Sequence, residues 1–251
     1  MEFRQALSSL MQRQDLTGEV MEQVMDQVMD GQLTPAQIGG LLVALHMKGE
    51  TVHEIAGAAR SMRRHATRID AGPLPIVDTC GTGGDGAGTF NISTTAALIA
   101  AGAGAKVAKH GNRSVSSHCG SADVLMALGV NVDLPPEQVG ACVREVGIGF
   151  LFAPKLHGAM KHAIGPRREL GVRTLFNILG PMSNPAGADR QVIGVFAPDL
   201  TEIMASVLGE LGTKHAMVVH GHDQLDEITG TTLTRITEWR DGAARTWDLD
   251  P

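Results

Sequence analysis

Short apolar runs alternate with helical stretches in the part of the chain that follows a Pro- and Gly-containing linker at residues 70–75. Strands that alternate with helices build parallel β-α-β units, and such sheets bind ligands at the carboxyl ends of their strands. The sequence therefore predicts an α/β domain with a mostly parallel central sheet. The predicted strands are 76–78, 106–108, 148–151, 192–195 and 216–219, and the predicted helices are 93–101, 121–128, 137–146 and 200–211.

The chain before this linker shows helical periodicity only. Val20, Val24 and Val28 recur every four residues, with methionines beside them. Thr34 followed by proline is typical of a helix that begins with a capping residue. These patterns predict a small helical domain over residues 1–70, with the Met and Val side chains in its core. A contact surface for a second copy of the chain is the alternative interpretation of the same side chains.

The last stretch of the chain is polar and alternating. It centres on Asp241 and Gly242, a pair that is typical of a tight hairpin turn. We therefore expect a β-hairpin after the last predicted helix.

Composition excludes several classes of protein. The chain carries 21 basic and 27 acidic residues, a net charge of −6, and its aromatic content is 3% with no tyrosine. General nucleic-acid binding is therefore not expected, because it requires a basic surface and aromatic stacking. No run reaches the roughly 18 apolar residues of a membrane span, and the N-terminus has no signal-peptide pattern. The three cysteines, Cys80, Cys119 and Cys142, show no C-x-x-C spacing, which favours a reducing, cytoplasmic setting.

A glycine-rich segment follows the first predicted strand and leads into a helix. Gly81, Gly83 and Gly86 satisfy G-x-G-x-x-G, the dinucleotide-binding fingerprint. That fold also needs a carboxylate at the end of the next strand, where this chain has Lys106 and Lys109 instead. A Gly-Lys-Ser/Thr sequence is missing too, so a Walker loop is excluded. The segment predicts a cradle of backbone N–H groups and hydroxyls for an anion, or else a merely flexible loop.

A basic segment, residues 109–121, follows the next predicted strand. Lys109 and Arg113 lie in it together with four serines, which suits a ligand with several negative charges. A solvated turn with incidental basic residues is the alternative. Zinc binding by the nearby histidines and cysteines is disfavoured, because His110, His118, Cys119 and Cys80 lack the usual ligand spacing.

An acidic segment, residues 220–228, follows the last predicted strand of the parallel set. Asp226 and Glu227 are adjacent hard oxygen ligands, of the kind that holds Mg²⁺ together with substrate phosphates. A transition-metal site at His220 and His222, or an exposed acidic turn, are the alternatives. The three segments together predict a site for a polyphosphorylated sugar or nucleotide with its metal.

These segments and several further motifs resemble the anthranilate phosphoribosyltransferase family over nearly all of the chain. The motifs that carry the resemblance are the glycine segment with 91–94, residues 109–117, 120–123, 150–154, 167–174, 177–181 and the pair 226–227. The resemblance implies transfer of a phosphoribosyl group from phosphoribosyl pyrophosphate (PRPP) to anthranilate in tryptophan biosynthesis.

The resemblance also implies an organisation. A helical domain, residues 1–70 with a return segment near 165–185, would accompany an α/β domain over 71–251. We expect a homodimer formed through the helical domain, with no nucleic-acid or membrane partner. Family chains continue beyond Pro251, so the α/β domain is expected to be incomplete at its C-terminus. A nucleoside phosphorylase of the same fold and a non-catalytic nucleic-acid-binding relative are the alternatives.

Residue roles come with the resemblance, position by position. Four residues would be catalytic: Lys109 and Arg113 because they neutralise the departing pyrophosphate, and Asp226 and Glu227 because they hold the Mg²⁺ that does the same. Ser93 would also contribute to holding Mg²⁺. Anthranilate would contact Gly81, Asn112 and Arg167, the last through its carboxylate. The remaining substrate-binding set would be Gly84, Asp85, Thr89, Asn91, Ile92, Ser93, Thr94, Lys109, His110, Gly111, Arg113, Ser114, Val115, Ser116, Ser117 and Ser121.

Two positions depart from the family pattern. Gly158 stands where the family usually has proline, and Gln224 stands where it usually has glycine. Both concern the stiffness of loops rather than the reacting groups.

Overall fold

Two compact units make up the chain, and each is formed by two separate stretches of sequence. A computed structural model describes residues 2–73, 75–113 and 119–251. The first unit comprises Met1–Ala66 and His157–Ser183, and the second comprises Thr67–Leu156 and Asn184–Pro251. The return segment expected near 165–185 thus corresponds to residues 157–183 of the first unit.

The first unit is helical. Thr34 begins its third helix with a capping box: Thr34 Oγ1 accepts a hydrogen bond from Gln37 N, and Gln37 Oε1 accepts one from Thr34 N. Met21, Val24 and Met25 are fully buried, which confirms the prediction that the Met- and Val-rich stretch forms core. The helices are α1 (Phe3–Met11), α2 (Gly18–Met29), α3 (Pro35–Lys48), α4 (Val52–His65), α9 (Lys161–Leu170) and α10 (Phe176–Leu179).

The second unit contains a seven-stranded sheet. Its strands are β1 (Val77–Gly81), β2 (Val107–Gly111), β3 (Ile148–Phe152), β4 (Arg190–Gly194), β5 (His215–Gly221), β6 (Thr234–Arg240) and β7 (Ala243–Leu249). Its helices are α5 (Ile92–Gly102), α6 (Ser121–Ala127), α7 (Pro136–Ala141), α8 (Ala153–Leu156) and α11 (Leu200–Glu210).

The strands lie in the order β3-β2-β1-β4-β5-β6-β7. The first five are parallel, and β5, β6 and β7 pair antiparallel. The predicted α/β class with a mostly parallel sheet is therefore confirmed. The predicted hairpin is confirmed too, because Asp241 and Gly242 connect β6 to β7 with φ values of 53° and 83°, as a two-residue hairpin turn requires.

Two predicted elements are present but differ in detail from the structure. The helix expected over 137–146 ends as an α-helix at Ala141 and continues as a π-helical turn, Cys142–Val146, which Gly147 ends at φ 92°. The strand expected at 76–78 lies at Val77–Gly81, because pairing with β4 continues to Gly81. α9 was not predicted, since Pro166 lies inside it and an interior proline usually ends a helix.

The core of the second unit fixes the sheet beneath the loops. Ile76, Ala108 and Leu151 from or beside neighbouring strands pack with Val139 and Val143, and all five are at most 4% exposed.

No helix in the described ranges combines the length and apolar character that crossing a membrane requires. The carboxyl ends of β1, β2 and β5 lead into the glycine-rich, basic and acidic segments of the sequence.

Candidate active site

The glycine loop, residues 82–91, connects β1 to α5. Four of its glycines, Gly83, Gly84, Gly86 and Gly88, have φ values between 65° and 85°, which side chains with a Cβ rarely adopt. Thr82 anchors the loop to the sheet, since its N–H donates to Gly194 O at 2.9 Å. The side chain of Asn91, the N-cap residue, does not cap α5, and the loop leads directly into the first turn of this helix, where an anion can meet main-chain N–H groups.

Lys109 extends from β2 toward this helix start. Its side chain is buried, at 3% exposure, and its ammonium donates to the main-chain oxygen of Thr79 and to Ser93 Oγ at 3.3 Å. Burial lowers the pKa of Lys109, while the nearby Asp78 carboxylate raises it. A positive charge is thus held in a poorly solvated place at the first turn of α5.

The rest of the basic segment is only partly described. Asn112 O accepts hydrogen bonds from Ala122 N at 3.1 Å and from Ser121 Oγ at 3.2 Å, which joins the end of β2 to the start of α6. Arg113 is exposed, and its guanidinium lies 5.9 Å from the centre of the Phe152 ring. The predicted contacts of Ser114, Val115, Ser116 and Ser117 lie outside the described residues.

The acidic loop after β5 lies against the ends of β1 and β4. A Cβ on Gly194 would stand 1.6 Å from Asp226 O, so only glycine permits this approach. A Cβ on Gly81 would lie 3.5 Å from Asp226 Oδ2. Asp226 N approaches Asp85 Oδ2 of the glycine loop at 3.5 Å. The acidic and glycine loops therefore meet at one edge of the sheet.

Glu227 contacts the start of α5 directly. Its Oε1 accepts a hydrogen bond from Ser93 N at 3.1 Å, which places a carboxylate on the positive end of the helix dipole. Asn91 Nδ2 donates to Cys119 O at 3.1 Å and so links the glycine loop to the end of the basic segment. Residues from all three segments, Gly81, Asp85, Ser93, Lys109, Asp226 and Glu227, are brought together.

The pKa values of the acidic pair are perturbed. Burial, and then the charge of Asp85, raise the pKa of Asp226 to about 8. Burial also raises the pKa of Glu227, against the opposing effect of Lys109. Three carboxyl groups repel one another here, and a cation would relieve that repulsion.

The donor set suits Mg²⁺. Ser93, Asp226 and Glu227 offer only hard oxygen atoms, as this ion prefers. Across the described ranges, no group of three or more His, Cys, Asp or Glu side chains has the geometry to hold a metal ion unaided. Mg²⁺ usually completes its coordination with water and substrate phosphates, so an incomplete protein site fits an ion that arrives with its substrate.

The alternative histidine site is not supported. His220 is buried, and its Nδ1 lies 2.7 Å from Val195 O, while His222 Nε2 pairs with Asp248 Oδ1 at 3.1 Å. Gln224, which stands where the family usually has glycine, adopts φ 72° in this loop.

The other predicted residues occupy varied places. Thr89 is exposed on the glycine loop, and the buried Thr94 Oγ1 has no hydrogen-bond partner. Arg167 lies on α9 of the helical unit, where its guanidinium is 5.1 Å from the centre of the Phe176 ring and burial lowers its pKa.

Sequence reasoning missed two buried polar residues near the loops, Asp78 and Asn184. Their side chains hydrogen-bond to each other at 2.8 Å, and both are at most 5% exposed. A carboxylate that follows the apolar pair Ile76 and Val77 in the predicted strand was the only signal of Asp78 in the sequence.

Comparison with known proteins identifies the class. Residues 4–66 match the model of the glycosyl transferase family, helical bundle domain, and residues 74–251 match that of the glycosyl transferase family, a/b domain. The two matches together define a glycosyl transferase with a helical bundle domain and an α/β domain. The helical match falls in the first unit and the α/β match falls mainly in the second.

Individual relatives narrow the class. An anthranilate phosphoribosyltransferase from Desulfosudis oleivorans is 60% identical over 249 residues, 99% of this chain and 74% of the relative. One from Thioalkalivibrio sulfidiphilus is 61% identical, over 96% of this chain and 72% of the relative. The crystal structure of the Thermus thermophilus enzyme superposes with a TM-score of 0.91 at 46% identity, over 98% of this chain and 73% of that one.

The chain belongs to the anthranilate phosphoribosyltransferase family. This membership decides against the nucleoside phosphorylase and the nucleic-acid-binding relative that the sequence left open. A family member from Saccharomyces cerevisiae, 30% identical with a TM-score of 0.81 over 94% of this chain and 69% of that one, has been solved in complex with PRPP and Mg.

Proposed function

We propose that this chain transfers the phosphoribosyl group of PRPP to the amine of anthranilate, giving N-(5-phosphoribosyl)anthranilate and pyrophosphate in tryptophan biosynthesis. The observation that carries the proposal is the meeting of Lys109, Ser93 and Glu227 at the first turn of α5. A cation, a helix N-terminus and a carboxylate pair in one place suit a diphosphate that binds with a divalent metal.

The reaction needs alignment more than acid–base chemistry. The amine nitrogen attacks the anomeric carbon with its lone pair while the bond from that carbon to the pyrophosphate oxygen breaks, with inversion at carbon. The amine then loses a proton to water. Lys109, Arg113 and the loop N–H groups stabilise the negative charge that develops on the departing oxygen. Mg²⁺ held by Ser93, Asp226 and Glu227 would supply further positive charge to the pyrophosphate.

Anthranilate fluorescence provides the direct test. Product formation should consume the fluorescence of anthranilate when this protein, PRPP and Mg²⁺ are combined, and omission of any one of the three should abolish the change. Unchanged fluorescence with all components present, and no pyrophosphate released, would contradict the proposed activity.

Arg167 is proposed to bind the carboxylate of anthranilate, because a guanidinium can pair with a carboxylate through two hydrogen bonds. Arg167→Met should raise the KM for anthranilate by about 10- to 100-fold, the cost of losing one charge-assisted pair. The Kd for PRPP should stay within about twofold of the wild-type value. Arg168→Met, at an exposed neighbouring position of α9, is the matched control. A rise in the PRPP Kd with an unchanged anthranilate KM would show that Arg167 has been misassigned.

We also propose that the protein is a homodimer and acts in the cytoplasm. Ala36, Gly40, Val43 and Met47 recur at spacings of four, three and four on α3, and all four are exposed. Such a stripe is suited to packing against the same helix of a second copy. The three cysteines are free, which agrees with a reducing compartment.

A charge in this stripe should separate the copies. Val43→Glu is expected to halve the mass seen by sedimentation equilibrium at about 10 µM, because an unpaired carboxylate would have to be buried in the contact. Ile99→Glu, at an equally apolar exposed position on α5, should leave the mass unchanged. Equal mass for Val43→Glu and wild type, or a wild-type monomer, would rule out this face.

A further inference from the structure

We infer that Asp78 and Asn184 are positioning residues: their hydrogen-bonded pair separates β1 from β2 and sets the distance between the glycine loop and Lys109 that the diphosphate of PRPP requires. The inference rests on the proposed function and adds two residues that do not themselves touch the substrate.

In the middle of the sheet, the neighbouring strands β1 and β2 pair over only a short length. β1 pairs with β4 at five positions, and β2 pairs with β3 at five positions. Between β1 and β2, whose residues are all described, the only paired position is Val77 with Val107. The two strands therefore pair at their amino ends and not toward their carboxyl ends.

Side chains bind main-chain groups where this pairing would continue. Asp78 Oδ1 accepts a hydrogen bond from His110 N at 3.0 Å. Asn184 Nδ2 donates to Asp78 Oδ2 at 2.8 Å and to Ala108 O at 2.9 Å. Lys109 Nζ donates to Thr79 O. Main-chain groups of both strands are thus satisfied by inserted side chains.

The orientation of the Asn184 amide is fixed as well. Its Oδ1 accepts a hydrogen bond from Ala186 N at 2.8 Å, so its Nδ2 must face Asp78. Asp78 therefore functions as an acceptor toward both the His110 N–H of β2 and the Asn184 amide. In this pair Asn184 is the donor and Asp78 the acceptor, and substitutions can exchange these two roles.

Stability alone does not explain this arrangement. Asp78 is fully buried, and taking a carboxylate out of water carries a penalty that ordinary strand pairing would avoid. The unpaired part of β1 and β2 also lies next to the predicted PRPP site. β1 ends at Gly81, where the glycine loop begins, and β2 carries Lys109. A buried polar pair at this point is therefore best explained by the spacing of the loops that follow.

Reversal of the donor and the acceptor is the test. Asp78→Asn would leave an amide NH₂ facing either Asn184 Nδ2 or the His110 N–H, because an amide has only one oxygen for these two donors. Asn184→Asp would place two carboxylates together. The double variant, Asp78→Asn with Asn184→Asp, restores one donor and one acceptor. It loses only the donor to Ala108 O, so partial rescue is expected.

The measurement is the Kd for PRPP with Mg²⁺ by titration calorimetry on the full chain, with the thermal midpoint recorded for each variant. Each single variant should bind PRPP at least about 10-fold more weakly, as loss of alignment by one hydrogen-bonded pair implies. The double variant should recover at least half of that loss on a logarithmic scale. Asn184→Ser replaces either single variant that does not fold.

Asp189→Asn is the matched control. Asp189 is also a buried carboxylate in this unit, and its Oδ1 accepts from Ile76 N at 2.9 Å, at the amino ends of β1 and β4. Its replacement should lower the thermal midpoint and leave the PRPP Kd unchanged. A wild-type protein that binds no PRPP would contradict the proposed function and this inference with it. Wild-type binding with an unchanged Kd in both single variants, or with no rescue in the double variant, would contradict the inference alone.

Discussion

Asp226→Asn should lower turnover by about 100- to 1000-fold and at the same time stabilise the metal-free protein by about 2 kcal/mol at pH 8. Turnover falls because the amide is a poor Mg²⁺ ligand. Stability rises because burial, and then the charge of Asp85, disfavour the ionised form of Asp226, and the amide that replaces it carries no charge. Opposite signs for activity and stability are typical of a group retained for function.

The pH dependence follows from the raised pKa of Asp226. Its folded-state pKa of about 8 exceeds the ordinary value of 3.8, so the folded protein holds more protons than the unfolded chain between these values. The free energy of unfolding contributed by this group therefore falls as pH rises from about 4 to about 8. Asp226→Asn removes that dependence, so the stability difference from wild type should grow with pH. Thermal or urea unfolding between pH 5 and pH 9 measures it.

Mg²⁺ should reverse the order of stability of wild type and Asp226→Asn. Binding of the ion requires the carboxylate form, so wild type should gain stability from millimolar Mg²⁺ added with PRPP at pH 7, with release of a proton, and Asp226→Asn should gain little. Calorimetry in two buffers of different ionisation enthalpy detects the proton.

Asp223→Asn is the control on the same loop. Asp223 is exposed and accepts hydrogen bonds from Thr229 and Thr231 at 2.7 Å, which lower its pKa, so its contribution to stability is lost on acidification instead. Its replacement should leave the Mg²⁺ response intact. If Asp226→Asn keeps the wild-type response to Mg²⁺, this carboxylate is not a metal ligand.

Part of this molecule could be predicted from local sequence alone. Thr34 begins a helix because its side chain caps it, and Asp241 with Gly242 turns a hairpin because both residues tolerate positive φ. The glycine loop after the first strand was predictable for the same reason, since its backbone requires glycine. These features depend on near neighbours in the chain.

Features that depend on distant neighbours were not predictable. β1 extends to Gly81 only because Cys80 and Gly81 pair with Ile193 and Gly194 more than 100 residues away. Glycine is needed at position 194 because Asp226 lies against it, and nothing in the local sequence predicts this contact. The partner of Asp78 is equally distant. Packing between remote segments, rather than propensity, decided these parts of the site.

Lys109→Met should weaken PRPP binding by about 100-fold or more, a larger loss than Arg113→Met should cause. Both residues are cations of the basic segment, but Lys109 is 3% exposed and Arg113 is exposed to solvent. A charge in a poorly solvated place interacts more strongly with a diphosphate than one surrounded by water and salt. The sequence alone predicts similar contributions from the two cations, and only their different burial in the structure distinguishes them.

Salt distinguishes the two cations. The contribution of Arg113 should shrink as ionic strength rises from about 0.05 to about 0.5 M, because screening acts on exposed charges, and Arg113→Met should cost at most about 10-fold at low salt. The loss in Lys109→Met should persist across that range. Calorimetric Kd values for PRPP at both salt concentrations, measured on all three proteins, provide the comparison.

Stability adds a second, independent readout for Lys109. Its ammonium donates to Thr79 O and Ser93 Oγ and raises the charged fraction of the buried Asp78, so Lys109→Met leaves these groups without their donor or cation. Unfolding should therefore become easier by about 1–3 kcal/mol, the usual cost of unsatisfied buried groups. The deficit should grow as pH rises, because burial already raises the pKa of Asp78 and the loss of Lys109 raises it further. Equal effects of Lys109→Met and Arg113→Met on binding, with the same salt dependence, would mean that burial gives Lys109 no special role in holding the diphosphate.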